Sequence, residues 1–455
     1  MSDKIRVLFS GPIGTRSGYG SRARDLVHAL IDIDKYDVKI MPQKWGNTPE
    51  NALSVESERD RKIIDRIMTQ EDGKIPFDVS FQVTVPNEFQ KWAKFNIGVT
   101  AGFEATVVPP KWVQGANNAE MVLFSTNHSR DSIANSTYDI NDKQDPSKKV
   151  GELKLTTKNE VLFEGADTSI FKPTKVISKE LKKEMNKISE TFCFLFVGHW
   201  LQGGLGNDRK DTGMLVKTFF ESFKNKKKTP ALILKTSGAD FSVIGRNEIL
   251  KKIEDIRKTV KAKSLPNVYV LHGDLEDEEM NELYNHPKVK AHVSFTHGEG
   301  FGRPLLEASL SGKPVIVSGW SGHMDFINHK NAVLLPGSLV GTPKDAFPKD
   351  FTCEGQKWFS VNYSQASAIL KDVFKNYKKY EKKAKLCAHV NKSKFSMKAM
   401  RDKLETILDE NLPNFPKQVA IKLPKLKKTA GAKGDKGETN QPTPKVKLPK
   451  LKKVN

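Results

Sequence analysis

The sequence predicts an α/β protein built as two Rossmann-like domains in series, facing a cleft, with a basic tail behind them. Three observations carry this. Short apolar runs alternate with helical patterns along most of the chain. A glycine-rich segment, GPIGTRSGYG at 11–20, sits between the first apolar run and the first helix. The alternation then restarts after a charged stretch at 175–190. The expected domains are residues 1–175, residues 176–412 and a tail over 413–455.

The first strand is expected at 5–10. After the glycine loop, SRARDLVHALIDI places Ala23, Leu26, Val27 and Leu30 on one helical face. Further strands read at 38–42, 77–83, 95–103 and 120–126, and VLFEG at 161–165 closes the half. In the second half FCFLFVGHW at 192–200 reads as a buried strand. The loop LQGGLGNDRKD at 201–211 follows, and then a helix at 212–223. Apolar strands follow at 231–238, 267–273, 290–296 and 313–319, with a helix at 277–284 among the segments between them. Ligands of such sheets bind beyond the carboxyl ends of the strands.

Composition narrows the class. The chain has 455 residues, 37% of them hydrophobic, enough for sizeable cores and against global disorder. No apolar run approaches the ~18 residues that span a bilayer, and the start reads directly into a strand rather than a leader. Cys193, Cys353 and Cys387 are odd in number and widely spaced, so they form neither a disulfide framework nor a metal cluster. A reduced, cytoplasmic protein is expected. The formal net charge is +21, and residues 417–455 contribute +10 of it, with twelve lysines against Asp435 and Glu438. IKLPKLKK at 421–428 returns as VKLPKLKK at 446–453. Proline inside each copy and like-charge repulsion predict disorder there. The tail reads either as a solubilising appendage or as a tether to a polyanion, nucleic acid or an anionic membrane surface.

The chemistry concentrates in HGEGFGRPLLEASLSGKPVI, 297–316. It follows a strand, and Pro304 stands in the favoured first turn of a helix. Gly298, Gly300 and Gly302 permit close backbone approach to a ligand, and the helix start offers N–H groups and a positive dipole end to a phosphate. Glu299 in the loop and Glu307 one turn into the helix can face one cleft, and a carboxylate suits a sugar or ribose diol. Arg209 and Lys210 lie at a loop-to-helix junction, where two cations can stabilise a departing diphosphate or form an ordinary charged turn.

This stretch resembles the signature E-G-F-G-x-P-x-x-E-A of retaining GT-B glycosyltransferases of the family 4 type, the glycosyl transferases group 1. Arg303 stands where an apolar residue is commoner. VLFEGADTSIFKP at 161–173 resembles the segment ending the first domain of that family, with Glu164 and Ala166 as departures. FLFVGHW with RKDTG resembles the first strand and R-K-G loop of the donor domain, with His199 where many relatives carry arginine. The resemblance covers most of residues 5–412. It implies that Glu299 touches the donor sugar's hydroxyls and Glu307 holds the nucleotide ribose. Gly300, Phe301 and Gly302 would line sugar and diphosphate, Gly198 would belong to the donor site, and Arg209 and Lys210 would neutralise the diphosphate. It brings the glycine loop, through Gly18 and Gly20, near the donor phosphate and acceptor; otherwise that loop is a flexible turn. Glu104, in GVTAGFEAT, would border the acceptor side. His128 reads as a helix-start residue.

The implied reaction is transfer of a glycosyl group from a nucleoside diphosphate sugar to a hydroxyl acceptor, with retained configuration and neither metal nor cofactor. The acceptor stays open between a glycan, a protein and a modified base in DNA. A catalytically silent scaffold of the same fold, a nucleic-acid-binding protein and a nucleotide-sugar epimerase are the alternatives.

Overall fold

The computed structural model describes residues 4–415 apart from Gln202, Ala239, Asp240, His329 and Pro348. The basic repeat and its expected polyanion contact lie outside the described residues. The first sheet begins with β1 (Ile5–Gly11), β2 (Tyr36–Pro42), β3 (Val79–Val83), β4 (Phe95–Thr100) and β5 (Met121–Phe124). A hairpin of β6 (Tyr138–Asn141) and β7 (Lys149–Leu153) precedes β8 (Lys158–Val161). The sheet order is β2-β1-β3-β4-β5-β8, and every pairing is parallel.

The second sheet repeats the plan with β9 (Cys193–Val197), β10 (Ala231–Lys235), β11 (Val268–Leu271), β12 (Val289–Ser294), β13 (Val315–Ser318) and β14 (Val333–Leu335). Its order, β11-β10-β9-β12-β13-β14, is again all parallel. Strand order reverses between β1 and β3 in one sheet and between β9 and β12 in the other. Loops leaving the carboxyl ends of those strands part to opposite sides and leave a crevice. An antiparallel hairpin, β15 (Gly337–Gly341) and β16 (Lys357–Val361), completes the second half.

Local sequence accounts for the elements that position the crevice. The helix Gly18–Ile33 starts at Ser17, whose Oγ accepts from the Gly20 N–H at 3.0 Å, and ends at Asp34 in a left-handed conformation. Ala23, Leu26, Val27 and Leu30 are fully buried, as their spacing predicts. Each large apolar side chain so buried contributes roughly 1.5–3 kcal/mol. The helix Thr212–Phe223 is capped from one turn back: Asp208 Oδ2 accepts from the Thr212 N–H at 2.9 Å.

Two expectations change. The closing strand lies at Lys158–Val161, not at VLFEG. The 162–165 run leaves the ladder, and the buried Arg22 guanidinium takes the Leu162 and Phe163 carbonyls at 2.6 and 2.9 Å. The second domain also does not keep all of 176–412. The helix Met397–Asn411 returns to the first domain, where Met400, Leu404, Ile407 and Leu408 join Val7, Phe9, Leu26 and Val79 in one core. The hairpin β15–β16, missed in the sequence, brings Phe347 and Trp358 onto Phe103 and Trp112 of the first domain.

Leu404→Ala should therefore destabilise the first domain's core by about 2–5 kcal/mol, read as a lower denaturant midpoint. An unchanged midpoint would refute the shared core.

Candidate active site

The loop after β12 is built to lie close to the other domain. Gly302, the residue before the helix Arg303–Leu310, has φ +94°, and Pro304 fills the first turn. A Cβ on Gly300 would meet the Ala101 carbonyl oxygen at 2.5 Å, so glycine alone lets this loop pass. The Gly300 carbonyl accepts from Thr126 Oγ1 at 2.7 Å and Ser129 Oγ at 3.1 Å, both at the start of the helix Asn127–Ala134 of the first domain. The Phe301 side chain turns away into the second core, 4.9 Å from the Phe326 ring. Only its backbone can line a ligand.

The loop after β9 meets this one edge to edge. The His297 N–H donates to the Arg209 carbonyl at 3.0 Å, and the His297 ring, stacked on Trp358, bonds the Phe359 and Gly206 carbonyls at 2.6 and 3.1 Å. Lys210 Nζ thereby reaches Glu299 Oε1 in a direct, largely buried ion pair. Arg209 reaches across to Glu104 Oε1 of the first domain at 2.5 Å. Burial pushes the Glu299 carboxyl up, but Lys210 and Arg209 outweigh it and hold it below the usual glutamate range. Burial pulls Lys210 below the usual lysine range, with Glu299 pulling back and Arg209 pushing further down.

Glu307 stands in a second charge cluster. Its Oε1 accepts from Arg303 Nε at 3.1 Å and its Oε2 from Tyr284 OH at 3.3 Å. Burial pushes its carboxyl up to about 8, against the pull of Arg303. Arg303 NH1 also reaches Asp25 Oδ2 of the first domain at 2.5 Å. Thus Glu299, Arg209 and Lys210 are brought together with Glu104, and Glu307 is held by its own partners.

The other expected residues are placed as follows. Gly18 opens its helix with free space around its α-carbon, whereas a Cβ on Gly20 would strike the Thr15 carbonyl oxygen at 2.2 Å. Gly20 thus serves loop packing. The loop is anchored to the second domain through Arg16, 2.7 Å from both Asp274 and Glu276. Gly198 follows β9, and its N–H donates to the Lys235 carbonyl at 3.2 Å. His199 bonds Ser237 Oγ at 3.0 Å, and burial, then Arg209 and Lys210, keep its pKa low. His128 lies in the first turn of its helix and bonds the Phe103 carbonyl at 3.2 Å. Glu164 is buried and accepts from Ser125 Oγ at 3.2 Å. Sequence reasoning missed Asp25, Tyr284 and Arg16; for Arg303, only its departure from an apolar position was a signal. Among the described residues, no group of three or more His, Cys, Asp or Glu could hold a metal ion. No helix there is long and apolar enough to cross a membrane.

Residues 216–347 match the family model described as Glycosyl transferases group 1. HepE of Anabaena, solved with UDP and glucose, superposes with a TM-score of 0.56 at 14% identity, over 90% of this chain and 100% of its own. A sucrose-phosphate synthase from Thermosynechococcus elongatus gives 0.59 at 12% identity, over 90% and 99%. The fold is GT-B. An E. coli protein bound with UDP-2-fluoro glucose gives 0.56 at 11% identity, over 90% of this chain and 100% of its own. A search of curated proteins returns no match. Within the GT-B architecture, the β9 and β12 loops of this chain form the wall of the second domain at its switch point.

Lys210→Met should leave Glu299 buried without its cation and lower stability by about 3–5 kcal/mol. Adding Glu299→Gln should recover part of that loss in equilibrium denaturation. A double variant as unstable as the sum of the singles would show that the pair is not coupled.

Proposed function

We propose that this protein transfers a glycosyl group from a nucleoside diphosphate sugar to a hydroxyl acceptor, with retention of configuration and without a metal. One observation carries the reading: Lys210, on the loop that follows β9, pairs with Glu299 on the loop that follows β12, with Arg209 beside them, at the switch point of the second sheet. The glycosyl transferases group 1 match and the nucleotide sugar in the solved HepE and E. coli structures support the same assignment.

The hard step is departure of the nucleoside diphosphate while positive charge builds on the sugar. Arg209 and Lys210 supply fixed positive charge where the diphosphate's negative charge grows, in a site already stripped of much water. Glu299, kept ionised, accepts hydrogen bonds from sugar hydroxyls and fixes the donor's pose. The Glu307 carboxyl takes the ribose diol, donating through its proton or accepting when ionised. On this reading the leaving phosphate accepts the acceptor's proton on the same face of the sugar, so no separate base is required. Glu104 faces the cations from the first domain and lies where an acceptor enters.

A thermal-shift panel of uridine, guanosine and adenosine diphosphate sugars should single out one donor. Glu299→Ala and Arg209→Ala/Lys210→Ala should each lower transfer about 100-fold or more in a folded protein, and chelator should leave turnover intact. Full activity in both variants rejects the site, and loss of turnover with chelator rejects metal independence.

A further inference from the structure

Arg303, the first residue of the helix that carries Glu307, is held by both domains at once. Its Nε lies 3.1 Å from Glu307 Oε1, and its NH1 lies 2.5 Å from Asp25 Oδ2 on the helix Gly18–Ile33. Asp25 is 4% exposed and Glu307 8%. On the far side, Asp25 Oδ1 is 4.0 Å from Arg59 NH2, and Glu307 Oε2 meets Tyr284 OH at 3.3 Å. Asp277 adds negative charge near Glu307, and Glu164, Asp25, Arg22 and Arg24 surround Arg303. A row of alternating charge thus runs from Arg59 through Asp25 and Arg303 to Glu307, crossing from one domain to the other.

The chemistry of the row is specific. A guanidinium presents donors on two edges and can serve two carboxylates in fixed geometry, which an ammonium does less well and a thioether not at all. Removing it takes the cation from the buried Glu307 carboxyl, which then favours its protonated form more strongly. A protonated Glu307 accepts fewer hydroxyl hydrogen bonds.

We propose that Arg303 is a positioning residue that couples the seating of the first domain, through Asp25, to the orientation of the Glu307 carboxylate for the donor's ribose. The inference rests on the reading above that Glu307 holds that ribose. It extends the reading by making donor grip depend on a residue, Asp25, of the opposite domain.

The test is donor binding by isothermal titration, with the nucleoside diphosphate sugar found in the thermal-shift panel, from pH 6.5 to 9. Asp25→Asn should weaken binding about threefold to tenfold, an effect of roughly 0.7–1.4 kcal/mol, although Asp25 faces Arg303. Arg303→Met should weaken it more, and its gap from the unaltered protein should widen from pH 6.5 to 9, because Glu307 ionises across that range beside the guanidinium and stays protonated without it. Arg303→Lys should restore part of the loss. The double variant Asp25→Asn/Arg303→Met should bind no worse than Arg303→Met. Melting curves identify any variant that fails to fold, and Asp25→Asn, the mildest change, still decides the matter in that case. Unchanged binding in Asp25→Asn, or a loss in Arg303→Met that is the same at every pH, overturns the coupling while leaving the glycosyltransferase reading standing. An unaltered protein that binds no nucleotide sugar overturns that reading, and the coupling with it.

Discussion

The cleft depends on pairing charge that the fold has taken out of water. Arg209 meets Glu104, Lys210 meets Glu299, and Arg303 meets Asp25 and Glu307, while Arg16 meets Asp274 and Glu276 at the more exposed rim. Stripping water from a charged group costs several kcal/mol, and only a partner in good geometry offsets it. All of these sets except Lys210–Glu299 include a contact between the two halves. Each domain therefore completes the other's electrostatics. On the proposed function, the cations that would receive a diphosphate are already largely desolvated and oriented, held meanwhile by carboxylates. An entering diphosphate would then exchange with carboxylate partners, and the cations would not have to be dehydrated anew.

Topology determines where this can happen. Both cation and carboxylate of the Lys210–Glu299 pair come from loops at carboxyl ends, one after β9 and one after β12, and those strands are neighbours in the sheet. The Arg209 carbonyl accepts from the His297 N–H, so the backbones fix the spacing before any side chain is chosen. The His297 ring, wedged against Trp358, keeps the two loops in register. With the backbone so constrained, the side chains lose less rotational freedom on meeting a ligand.

Much of this was legible because local sequence determined it. The face of Ala23, Leu26, Val27 and Leu30 follows from helical period, and the strand–glycine–proline–helix context of Glu299 follows from residues within one short segment. The Arg209–Lys210 junction was legible for the same reason. What escaped was contact between distant residues. Nothing local marks Asp25, because its partner Arg303 is 278 residues away. Glu307 was expected to share a crevice with Glu299 because eight residues bring both to one end of a helix. The Arg303 guanidinium, one turn before it, draws it into a separate pairing. The helix Met397–Asn411 shows the same limit. Its apolar face was readable in principle, but nothing local tells which of two similar cores receives it.

The two halves are joined by contacts of opposite character, and this bears on how the cleft works. At the hairpin β15–β16 the join is apolar and backbone-to-backbone: Phe347 and Trp358 pack with Phe103 and Trp112, and the Thr106 N–H donates to the Lys357 carbonyl at 2.8 Å. Such contacts respond little to an anion or to salt. At the glycine loop and around Arg209 and Arg303 the join is ionic, and there a charged ligand competes directly for the pairing groups. A molecule that binds a nucleoside diphosphate in this crevice would therefore loosen the ionic side while the apolar side stays fixed.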